Sequence, residues 1–103
     1  MDRLESLRKM LESNPSDLFL HYALAMEYLS AGDDIPALEK LEEIRHDAPE
    51  YLPTYYQLAK LYEKMNDNAS AIRIYEQGIE VARNQNETKT MNELRSALDE
   101  LIF

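Results

Sequence analysis

Shifted against itself by the step that carries Leu18 onto Leu52, the sequence also lines up Tyr22 with Tyr56, Leu24 with Leu58 and Ala25 with Ala59. The same shift pairs Tyr28 with Tyr62, Asp33 with Asp67, Ala37 with Ala71, Glu42 with Glu76 and Ala48 with Ala82, and sets Leu38 beside Ile72 and Leu41 beside Tyr75. The matches fall mainly on apolar and small residues, which are the ones that pack, and a fixed period of this length marks a stacked array of like units. Within each copy Leu24, Ala25 and Tyr28, or Leu58, Ala59 and Tyr62, occupy one face of a helix. A small residue beside a large one lets a second helix approach closely. Ala37, Leu41 and Ile44 carry the same stripe onto that second helix.

Between the two stripes lies Gly32-Asp33-Asp34 in one copy and Asn66-Asp67-Asn68 in the other. Gly, and to a lesser extent Asn, adopts the left-handed backbone that ends a helix, and Asp next to it can cap the following one. Each unit therefore reads as an antiparallel pair of helices. With only two glycines and four prolines, and no alternating apolar run bounded by turn residues, nothing points to a sheet.

The first copy, His21-x2-Leu24-Ala25-x2-Tyr28 with Ala37-x3-Leu41 and Pro49, resembles the tetratricopeptide repeat. The second, Tyr55-x2-Leu58-Ala59-x2-Tyr62 with Ala71-x3-Tyr75, is similar to it too, with a better opening aromatic. His21 replaces the usual Trp, Ala replaces the first-helix Gly in both copies, and Arg83 replaces the closing Pro. The resemblance is carried by residues 18 to 83. It implies an all-α fold, an α-α superhelix of antiparallel helix pairs, right-handed, with about six helices in a single domain over 1–103. The two repeats span 18–51 and 52–85. Pro15 lies one repeat length before Pro49, and Leu4, Leu7 and Met10 precede Leu38, Leu41 and Ile44 by the same step. Residues 2–15 thus read as the second helix of an incomplete repeat, with Ser16 or Asp17 capping the next. At the other end the repeat register would put Asn92 and Glu93 on the Leu-Ala site, and a shift of about two residues restores the stripe. Met91, Leu94, Ala97, Leu98 and Leu101 then form an off-register closing helix over 88–102, with Thr90-x-x-Glu93 as its expected capping box.

The resemblance further implies a concave groove lined by the first helix of each pair, used to bind a peptide or helix of a protein partner. Its positions would be Phe19, Tyr22, Met26, Leu29 and Ser30 in one copy, and Pro53, Tyr56, Lys60, Glu63 and Lys64 in the other. The first set is apolar and the second mixed in charge, so a groove polarised from end to end is expected. Two readings stay open for Phe19, Tyr22 and Met26, partner contact and packing against the N-terminal half-repeat. Lys60 and Lys64 read first as a solvated helix face and only second as partner contacts. Tyr22 and Met26 stand where chaperone-binding members of the family carry a Lys and an Asn that clamp a terminal carboxylate, so that activity is not expected.

The remaining chemistry is sparse. A net charge of −9 argues against nucleic acid and against anionic membranes, and no apolar run reaches transmembrane length. Cysteine is absent, so disulfides and thiol chemistry are excluded. Met1-Asp2-Arg3-Leu4-Glu5 is amphipathic and charged, unlike the apolar core of a signal peptide, so the cytoplasm is the expected compartment. His21 falls on the opening aromatic site, where a packed, hydrogen-bonded ring is expected, and His46 near a helix C-terminus suits a partial positive charge. They have no metal-pair spacing. Glu39, Glu42 and Glu43 fit an exposed helix face, and Asp33 with Asp34 lacks calcium-loop periodicity. No phosphate loop or nucleophile motif occurs, so neither catalysis, a cofactor nor a metal is expected. The alternative to groove binding is self-association into a homodimer through apolar repeat surface, since about three stacked repeats are needed for stability and this chain has two with fragments.

Overall fold

The computed structural model describes residues 2–103. Six helices follow in order: α1 (Arg3–Ser13), α2 (Leu18–Ser30), α3 (Asp34–Asp47), α4 (Pro53–Lys64), α5 (Asn68–Asn84) and α6 (Thr88–Ile102). No strand occurs among the described residues. Two compact units emerge, Met1–Asp47 with α1 to α3 and Ala48–Phe103 with α4 to α6. Within each, consecutive helices pack on one another, α1 on α2 and α2 on α3, then α4 on α5 and α5 on α6.

The helix ends follow from local chemistry. Asp2 caps α1 by accepting the Glu5 N–H at 2.8 Å, and Asp17 caps α2 by accepting the Leu20 N–H at 3.2 Å. Pro53 opens α4, where a missing N–H costs nothing. Gly32 and Asn66 take left-handed φ of 79° and 63°. Each turn is closed by a six-to-one bond, Asp33 N–H to the Tyr28 carbonyl and Asp67 N–H to the Tyr62 carbonyl, both 2.9 Å. Asp67 then caps α5, accepting the Ser70 N–H and hydroxyl at 3.1 and 2.8 Å. These bonds hold its carboxyl below the ordinary aspartate range.

A third turn of this kind joins α5 to α6, with Asn86 at φ 59° and Glu87 N–H donating to the Ala82 carbonyl. Its cause is Arg83, which occupies the place that Pro49 holds in the first copy. Without a proline to stop it, α5 runs to Asn84, whereas α3 ends at Asp47, the repeat equivalent of Val81. This explains why the register slips before the closing helix. The expected capping box is not formed: α6 starts at Thr88, so Thr90 lies inside it, and its N-cap, Glu87, makes no side-chain capping bond.

In the first unit Leu7 of α1 is buried with Leu20 and Leu24 of α2, and Leu4, Leu11, Ala23 and Tyr28 pack around them. Arg8 donates to the Tyr28 hydroxyl at 2.8 Å. Leu24, Ala25, Ala37, Leu41 and Ile44 are buried, as are Leu58, Ala59, Ala71, Ile74 and Tyr75 in the second unit. Both repeats also share a side-chain bond. The Tyr55 hydroxyl donates to the Pro49 carbonyl at 2.5 Å, and at the equivalent place in the first copy His21 Nε2 meets the Pro15 carbonyl at 2.7 Å. A carbonyl only accepts, so Nε2 donates and Nδ1 accepts from Lys40 Nζ at 3.2 Å. His21 is thus a bonded structural ring. Glu42 with Arg45 and Glu43 with Lys40 are surface pairs along α3, worth little each.

Thr54 departs from its repeat partner Leu20: it is fully buried, and its hydroxyl has no hydrogen-bond partner. Thr54→Val keeps the shape and removes the orphaned group. It is expected to leave stability unchanged or raise it by up to about 1 kcal/mol in urea unfolding. A clear loss would reveal a bond to the hydroxyl.

Candidate functional site

The residues expected to line a groove fall on two helices, one in each unit. On α2, Phe19 is 69% exposed, Tyr22, Met26 and Leu29 are half-buried, and Ser30 is exposed. The cluster that α1 forms on α2 uses Leu20, Ala23, Leu24 and Tyr28, so Phe19, Tyr22 and Met26 lie outside it. On α4, Pro53, Tyr56 and Lys64 are exposed while Lys60 and Glu63 are half-buried.

The second unit gathers part of its set into a concave feature. A groove of about 480 Å³ runs between α4 and α6, walled by Tyr56 and Lys60 on one side and by Lys89, Asn92, Glu93, Ser96, Ala97 and Glu100 on the other. The α4 wall is held by a chain of contacts. Lys60 Nζ lies 5.6 Å from the Tyr56 ring centroid and 3.5 Å from Glu63 Oε2. Glu63 in turn accepts a hydrogen bond from the Tyr75 hydroxyl of α5. Burial pushes the Tyr75 phenol well above its ordinary range, and the bond to Glu63 and the nearby Glu63, Tyr56 and Glu100 charges add to this. Tyr75 replaces the Leu41 of the first copy, so the second repeat has a polar link from its core to its surface. Lys64, on the last turn of α4, does not line the groove.

The α6 wall was missed at the level of sequence, although the signal was present. A step two residues longer than the repeat carries Leu58 to Leu94 and Tyr62 to Leu98. It also carries Tyr56, Lys60 and Lys64 to Asn92, Ser96 and Glu100, all three of which face the groove. No group of three or more His, Asp or Glu side chains among the described residues is placed to hold a metal ion. No helix among them is long and apolar enough to cross a membrane.

A protein of stacked antiparallel helix pairs with a groove between like helices belongs to the helical-repeat class. A tetratricopeptide-repeat family model matches residues 52–85, the second copy as read from its spacing. The crystal structure of a tetratricopeptide repeat domain protein from Salinibacter ruber is 42% identical, with 84% of this chain and 96% of that one covered and a TM-score of 0.80. A solution structure of such a domain from the same organism gives 42% identity, coverage of 84% and 88%, and a TM-score of 0.81. A Bordetella parapertussis protein of 24% identity shares the fold over 99% of this chain and 89% of its own, with a TM-score of 0.85. A search of curated proteins found no match. The chain belongs to the tetratricopeptide repeat family. Its fold is a non-catalytic scaffold with a general role in protein–protein contact.

Proposed function

We propose that the protein binds a peptide segment of a partner protein in the groove between α4 and α6. The observation that carries this reading is the groove itself, about 480 Å³, with an exposed aromatic ring on a wall fixed by internal contacts. A wall that needs no rearrangement loses little entropy on binding, and a rigid tyrosine offers contact area with few rotamers to freeze. The α2 positions Phe19, Tyr22, Met26 and Leu29 are part of the same proposal as a second, more apolar contact surface of the module.

The test is selection of a displayed random-peptide library on the wild-type protein, followed by calorimetric titration of the enriched peptides. Tyr56→Ala is expected to weaken them about tenfold, the usual scale for losing an aromatic anchor. Enriched peptides that bind Tyr56→Ala as tightly as the wild type would place the binding surface elsewhere.

A further inference from the structure

The charges around the α4–α6 groove are unequally answered. Lys60 is balanced within its own helix, by Glu63 at 3.5 Å and by the Tyr56 ring. Glu63 is engaged on its other side by the Tyr75 hydroxyl. On α6, by contrast, the side chains of Lys89, Glu93 and Glu100 make no ion pair or hydrogen bond with another described residue. The uncompensated charge facing the groove is therefore two carboxylates against one ammonium.

Their spacing leaves Glu100 the more isolated. Lys89 lies four residues before Glu93, about 6 Å along the axis and close enough to offset part of that charge, whereas Glu100 lies eleven residues on, about 16 Å, well beyond the reach of a contact pair. Glu93 and Glu100 lie seven residues apart on one face, about 10 Å, with the small Ser96 and Ala97 between them. That leaves a low floor opposite Tyr56, bounded at both ends by carboxylates. The Glu100 charge also reaches the buried Tyr75 phenol behind the α4 wall, which it helps hold protonated. The chain's net charge of −9 favours the approach of cations over anions throughout.

Building on the groove reading, we propose that the groove selects a basic side chain, a Lys or Arg of the partner peptide. Its aliphatic stem lies along Tyr56 and Ala97, and its charged head pairs with Glu100 or Glu93. Long basic side chains combine an apolar stem with a charged tip, and guanidinium meets carboxylate in two parallel hydrogen bonds.

The test uses two fluorescein-labelled ten-residue peptides, identical except for a central Arg-Leu-Arg or Glu-Leu-Glu, titrated by anisotropy at physiological ionic strength. The Arg peptide is expected to bind the wild-type protein at least tenfold more tightly. Glu93→Gln with Glu100→Gln should weaken it at least fivefold. Glu76→Gln with Glu80→Gln, which removes the same charge from the exposed face of α5, should change it less than twofold. Equal losses in the two double variants would assign the preference to net charge and overturn the proposal. So would preference for the Glu peptide, and if Tyr56→Ala abolished that binding the groove would stand as the peptide site with the opposite ligand class. Failure of both peptides to bind also overturns it, while peptides from the library selection that still depend on Tyr56 would leave the groove reading intact.

Discussion

Gly78→Ala is expected to destabilise the protein by about 2 kcal/mol, seen as a lower urea midpoint at unchanged slope. On helix propensity alone the change should help, since Ala is favoured over Gly by about 1 kcal/mol inside a helix. Packing reverses the sign. A Cβ built on Gly78 would sit 2.7 Å from the Tyr55 Cβ, 3.1 Å from its Cγ and 3.0 Å from Leu94 Cδ1. The Tyr55 Cβ is joined directly to the α4 backbone, and its ring is fixed at the far end by the bond to Pro49. No rotamer change moves the Tyr55 Cβ, so α5 must move away from α4, whereas the Leu94 Cδ1 contact can be eased by rotation of that side chain. The equivalent position in the first copy is the buried Ile44 opposite His21, whose Cβ and Cγ match those of Tyr55, so bulk is accommodated there by the spacing of the helices and not by the exchange of the ring. A stabilised Gly78→Ala variant would mean that the helices part at little cost.

Tyr75→Ala is expected to cost about 3–5 kcal/mol, because it empties the site of the largest fully buried side chain. Tyr75→Phe, which keeps the ring, separates packing from polarity. It should cost about 1.5–3 kcal/mol near neutral pH, the net worth of one hydrogen bond to a charged group. The two variants differ further in alkali. In the folded protein the phenol is pushed above its ordinary value, whereas in the unfolded chain it titrates near that value, about 10. Above that pH the unfolded state binds fewer protons than the folded one, so stability falls as pH rises. The contribution is complete below the unfolded value and declines beyond it. Urea unfolding from neutral to strongly alkaline pH should therefore show a steeper alkaline loss in wild type than in Tyr75→Phe. Parallel profiles would show that the hydroxyl ionises equally in both states. Tyr75→Phe also releases Glu63, which makes it a probe of the groove wall.

The local features of the chain were legible residue by residue. Gly32 and Asn66 take the left-handed turn conformation, Asp17 and Asp67 cap the helices after them, and the Leu-Ala stripes are buried. These depend on interactions spanning at most a few residues and on a face set by helical period, both of which a sequence encodes directly. The apolar stripe of the closing helix persists after the register slips, and its Leu94 and Ala97 are buried.

The α5–α6 turn, the Gly78 contact and the far wall of the groove were not readable in the same way. Arg83 is visible as a departure from the repeat, but the added turn of α5 depends on the helix finding neighbours for its extra length. Gly78 reads as a weak helix residue until Tyr55 and Leu94 are both placed against it. Periodicity says which side of a helix is apolar, and leaves open which side chain from another helix fills the space. For the same reason Asn92, Ser96 and Glu100 read as ordinary surface residues. Sequence alone determined the repeat, the caps and the buried stripes. The packing of α4, α5 and α6 determined where the groove lies, because a groove is a property of the distance between two helices.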